Sequence, residues 1–87
     1  MNSGHPGKTV EERRMHAKRL VSELEGEELF VLAGLAMGMS RRAIADRRNS
    51  LPDDVERTVR SLMYKLGAPT IVDVVRLAIL ADLTLFH

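Results

Sequence analysis

The residues Val55, Val59, Leu62, Met63 and Leu66 fall at i, i+4, i+7, i+8 and i+11. That spacing puts them on one face of an α-helix and is incompatible with the two-residue period of a strand. Pro52 suits the first turn of such a helix, where its missing N–H leaves no partner unmet, and Asp53 and Asp54 suit its positive end. Gly67 stops it. Immediately before lies a shorter helix that Ser40 caps, carrying Ala43 and Ile44 inward until Asn49 and Ser50 turn the chain. Ser40 to Gly67 thus reads as two helices joined by a tight turn, and any fold for this chain must accommodate that unit.

The flanks also read as helices. Thr9 and Glu12 form a T-x-x-E capping box, and Ala17, Leu20, Val21 and Leu24 give an apolar stripe on the later turns only. An arm helix over 9–24 therefore docks by its C-terminal half and leaves Glu11 to Arg14 in water. Gly26 interrupts, and the next helix is expected from about Glu27 to Met37, ended by Gly38. Val31, Leu32, Leu35 and Ala36 line its main face, while Phe30, Ala33 and Met37 form a second stripe expected to receive the arm. After Pro69, Thr70 caps a last helix expected to reach about Leu83, whose run IVDVVRLAILADL is apolar nearly all round. A monomer's surface helix needs one apolar face, so this one is expected to bury two. The second face, through Val72, Val75 and Ile79, points to a homodimer. The expected architecture is all-α, with a disordered tail over 1–8, the arm over 9–24 and a four-helix domain over 25–87.

Composition narrows the function. Eighty-seven residues make one small domain, and an aromatic content of 3% argues against a β-sandwich or a base-stacking surface. The absence of Cys removes disulfide and thiol chemistry and fits a reducing cytoplasm. Met1 to Gly7 lacks the apolar core of a signal peptide, and Asp73, Arg76 and Asp82 break the longest apolar run, so no membrane partner is expected. His5, His16 and His87 have no metal-ligand spacing, Ser40 has no base partner, and no phosphate loop occurs, so neither enzyme nor cofactor is expected. Net charge is only +1, but residues 41 to 51 carry four Arg against Asp46, whereas residues 25 to 40 carry three acids and no base.

Glu28, Val31, Leu32, Ala36, Gly38, Ser40, Ile44, Ala45, Val55, Lys65, Leu66 and Gly67 lie at fixed spacing, with G-x-S-x-x-x-I-A leading to K-L-G. From Leu24 to about Leu83 this pattern resembles the LuxR/GerE family of helix-turn-helix domains without a gap. The resemblance implies four helices, dimerisation through the fourth and reading of the DNA major groove with the third, here residues 52–66. It leaves out the first two dozen residues and is closest to the small stand-alone members. Carried over by position, Glu56, Arg57 and Arg60 face bases, with Tyr64 one turn further. Arg57, Arg60 and Tyr64 stand at i, i+3 and i+7, so helix geometry alone also puts them on one stripe. Arg can contact guanine O6 and N7, and Glu can accept from cytosine N4. Arg41 and Arg42, opening the preceding helix, suit phosphate contacts.

The departures from the family pattern are specific. Arg48 and Ser50 replace apolar residues, with Leu51 expected to restore the contact through a shifted turn. Asp54 and Glu56 replace the Thr and Lys that the family presents to DNA. Exposed arginines are ordinarily a solvated face, acids at a helix start ordinarily serve its dipole, and an exposed Tyr ordinarily packs at a rim. Residues 52 to 66 carry no net charge, so binding to double-stranded DNA is expected to be weak or strongly salt-dependent. The leading expectation is a small bacterial transcriptional regulator that binds DNA as a homodimer. The alternative is a degenerate, anti-activator-like interaction module that binds another transcription regulator. A sigma-factor region-four-like module explains K-L-G and the last helix less well.

Overall fold

Helix boundaries follow local hydrogen-bond chemistry. In a computed structural model, which describes residues 9–81, the chain forms α1 (Val10–Ser22), α2 (Gly26–Ala36), α3 (Arg41–Arg47), α4 (Pro52–Leu66) and α5 (Ile71–Leu80), with no strand among the described residues. The tail over 1–8 and the expected helix end near Leu83 lie outside those residues; α5 runs to Leu80, with Ala81 at its cap. Thr9 Oγ1 accepts from the Glu12 N–H at 3.1 Å while the Glu12 carboxylate accepts from the Thr9 N–H at 2.8 Å, completing the capping box. Ser40 Oγ accepts from the Ala43 N–H at 3.1 Å, and Thr70 Oγ1 from the Asp73 N–H at 3.2 Å. Gly67 ends α4 at φ +62°, a conformation that is costly for a residue with a Cβ.

α2 begins one residue earlier than expected. Gly26 occupies its first turn, and the break falls at Glu25, whose N–H donates to Glu28 Oε1 at 3.0 Å. A side chain three residues on thus satisfies the amide at the helix entrance, so the glycine is free to be helical.

Val31, Leu32, Ile44, Val55, Val59, Leu62 and Val74 are fully buried and form the centre of the core. α4 presents Val55, Val59, Leu62 and Leu66 inward, with Met63 half-buried, against α2, α3 and α5. Gly34 lets α3 approach α2: a Cβ there would meet Ile44 Cγ1 at 2.8 Å. The arm buries Ala17, Val21 and Leu24 and leaves Glu11, Glu12 and Arg13 exposed, with Arg14 half-buried.

Two expectations about packing are corrected. The arm packs on α5 and α4, not on the stripe of Phe30, Ala33 and Met37. There Ala17, Val21 and Leu24 join Val74, Ala78 and Ala81 in one buried cluster, removing apolar surface of both helices from water. The stripe instead lines an open groove of about 580 Å³ with Leu29 and Met39. Leu51 restores no contact either, since it is 66% exposed. Arg48 supplies the cover, its guanidinium lying 4.6 Å from the Phe30 ring centroid. No helix among the described residues is long and apolar enough to cross a membrane.

Candidate nucleic-acid interface

α3 and α4 are joined by Arg48 to Leu51, and their relative placement sets where their charges stand. Arg48 closes α3 by donating its N–H to Ala45 O at 3.0 Å, and Asn49 takes the left-handed conformation at φ +52°, which Asn tolerates better than most residues. The Ser50 N–H returns to Ala45 O at 2.9 Å, and the Leu51 N–H donates to Asp54 Oδ2 at 3.2 Å at the entrance of α4. Ser50 Oγ is buried with no hydrogen-bond partner.

The outer side of α4 carries Arg57, Arg60 and Tyr64, all exposed, with Tyr64 88% accessible. The inner side of the same helix, with Val55, Val59, Leu62 and Leu66, is committed to the core, so this stripe faces away from it. Arg42 is exposed at the start of α3. Arg41 is brought to α4: its Nε donates to Glu56 Oε1 at 2.8 Å. Asp54 pairs with Arg57 one turn later on α4, and Arg48 Nε donates to Glu27 Oε1 at 3.0 Å. Among the described residues Arg42, Arg47 and Arg60 have no acidic partner. Exposed ion pairs stabilise a fold by only about 0–1 kcal/mol. Their larger effect is to decide which charges remain to meet a ligand. Asp54 and Glu56 are thus engaged with the arginines beside them, while Asp53 stands exposed.

A second cluster was not legible as a unit in the sequence. Glu28, on α2, is buried and accepts from the Glu25 N–H at 3.0 Å, from Ser61 Oγ at 2.9 Å and from Lys65 Nζ, which lies 2.9 Å from its Oε2. The Glu25 amide, and then the Lys65 and Ser61 hydrogen bonds, hold its carboxyl below the ordinary value of 4.5 against the opposing effect of burial. Its hydrogen bond to Lys65 raises the lysine in turn. The cluster bolts α4 to the start of α2 and so fixes the angle at which Arg57, Arg60 and Tyr64 are presented. Ser61 and Lys65 lie 33 and 37 positions from Glu28, so no local signal joins them to it.

On α5, Val72 and Ile79 are 63% and 68% exposed, whereas Val75 is half-buried against the core. An apolar patch is therefore left open on the last helix. No group of three His, Cys, Asp or Glu side chains is placed to hold a metal ion among the described residues. The chain matches no protein-family model, and no curated protein or solved structure is significantly similar to it.

Proposed function

We propose that the chain is a DNA-binding regulator of the LuxR/GerE helix-turn-helix type, acting as a homodimer through α5 and reading the major groove with α4. The observation that carries the reading is the outer stripe of α4. Arg60 stands unpaired among the described residues, between Arg57 and Tyr64, on a helix whose other side is spent on the core and which follows a tight turn from α3. In that arrangement the second helix enters the groove and the N-terminus of the first approaches the backbone, where Arg41 and Arg42 lie. The open Val72 and Ile79 supply a two-fold contact that would set the spacing of half-sites. The test is fluorescence anisotropy against a pool of duplex fragments at about 50 mM salt, where phosphate contacts are strong. Saturable binding that falls steeply with salt supports the reading, and a folded dimer that binds no duplex overturns it. Sedimentation that finds only a 9.7 kDa species at tens of micromolar removes the dimer.

One observation favours a second reading. The Arg41–Glu56 and Arg57–Asp54 pairs consume positive charge on the face that would meet phosphate, as expected of a module that binds another regulator. Glu56→Lys separates the two. A wild type that binds no duplex beside a variant that does, together with recovery of a protein partner, supports the interaction module.

A further inference from the structure

The Arg41–Glu56 pair links the first residue of α3 to the second turn of α4, with side-chain exposures of 37% and 39%. Only Arg41 Nε and Glu56 Oε1 take part, at 2.8 Å. Among the described residues nothing else hydrogen-bonds Glu56 Oε2 or the terminal guanidinium nitrogens of Arg41. A guanidinium is a rigid fork, so when Nε is engaged its outer edge still presents donors in the same plane. That edge matches a phosphate, and the free carboxylate oxygen is an acceptor with no donor of its own.

We propose that Glu56 is a specificity-determining residue that selects cytosine, and that Arg41 is the positioning residue that holds it there while contacting the DNA backbone. The inference rests on the DNA-binding reading above. Residues in the first turns of the second helix meet base edges. A carboxylate can only accept. Guanine offers it two acceptors, thymine one acceptor and a methyl group, and adenine a donor beside the N7 acceptor, so cytosine N4 is the base-edge donor it meets with least repulsion. Arg57, the next residue, and Arg60, one turn on, are suited to guanine. The half-site should therefore be rich in G·C pairs, with a cytosine opposite Glu56. Because the same guanidinium touches phosphate and Glu56, loss of the fork disturbs base choice even when the positive charge remains.

The test is selection from a random duplex library with wild type, Glu56→Gln, Arg41→Lys and Arg41→Met, followed by anisotropy on the selected site and its single-base variants across salt concentrations. Circular dichroism checks that each variant folds. Wild type is expected to discriminate against loss of the cytosine by about ten-fold or more. Glu56→Gln should lose that preference and turn toward adenine, which an amide can pair. Arg41→Lys should keep the salt slope but weaken the cytosine preference, and Arg41→Met should lose both about one unit of slope and the preference. If Glu56→Gln binds every duplex more tightly with base preferences unchanged, Glu56 only repels the duplex and the inference is overturned. Wild-type binding without a cytosine preference also overturns it while leaving the DNA-binding reading intact. Absence of any wild-type binding overturns both.

Discussion

Replacing Glu28 by Ala removes three hydrogen-bond acceptances at once, from the Glu25 amide, the Ser61 hydroxyl and the Lys65 ammonium. The carboxylate side chain is only 12% exposed, so water does little to replace these partners. A hydrogen bond to a charged group contributes about 1.5–3 kcal/mol, and loss of a helix-start acceptor costs about 1 kcal/mol. The contributions share one carboxylate and do not add. Lys65 is 40% exposed, and its part is reduced by solvent screening. The expected loss is about 3 kcal/mol, and at ~4–8 °C per kcal/mol for a domain of this size the midpoint falls by about 12–24 °C. Glu28→Gln keeps the shape and most of the acceptance and should lose about 1 kcal/mol. Thermal and urea unfolding at equal protein concentration would measure both. A Glu28→Ala midpoint within error of wild type would refute the claim that this cluster bolts α4 to α2.

The same residue sets an acid limit. Its folded carboxyl titrates below 4.5, so its contribution is complete above that value and is lost as pH falls through the lower folded value. Lys65 titrates above 10.5 when folded, so its contribution is complete below 10.5 and is lost as pH rises past the higher value. Between those limits the cluster should be insensitive to pH, and Glu28→Gln should flatten the acid limb of a stability–pH curve.

Three further outcomes follow from the packing. Gly34→Ala should cost about 1–3 kcal/mol, because the added methyl would stand 2.8 Å from Ile44 Cγ1 and force that fully buried side chain to shift; urea unfolding would measure it. Ser50→Ala should be neutral or stabilising by up to about 1 kcal/mol, since Ser50 Oγ is buried without a partner, and a clear loss of stability would show that the hydroxyl makes a bond after all. Ile79→Glu should change monomer stability by less than about 0.5 kcal/mol, because Ile79 is exposed, yet abolish self-association in sedimentation if α5 forms the dimer contact.

The start of α1, α3 and α5 was legible from Thr9, Ser40 and Thr70, and the end of α4 from Gly67. The buried face of α4 was legible from Val55, Val59, Leu62 and Leu66. Each of these signals acts within a few residues, through a cap, a left-handed glycine or the 3.6-residue period, so the chain states them locally. The docking of the arm was not legible. Phe30, Ala33 and Met37 offered an apolar stripe as acceptable as the one on α5, and choosing between them requires the areas that each burial removes from water.

The candidate site divides in the same way. That Arg57, Arg60 and Tyr64 share an exposed stripe is a property of helix geometry and could be read from spacing alone. Asp54 and Arg57 are one turn apart, but three other pairs could not be read that way, because Arg41–Glu56, Arg48–Glu27 and Lys65–Glu28 join residues 15, 21 and 37 positions apart. Asp54 and Glu56 stood in the sequence as charges opposed to DNA. The packing of α3 on α4 made Glu56 the partner of Arg41, and that packing rests on the shared core of Ile44, Ala45, Val55 and Val59, with the close approach at Gly34 and the cluster at Glu28 setting both helices against α2. The sequence by itself determined five helices and most of the inward faces of the first four, because backbone capping and hydrophobic periodicity are local. The tertiary structure decided which charges remain available to a partner, because electrostatic pairing depends on distances through space.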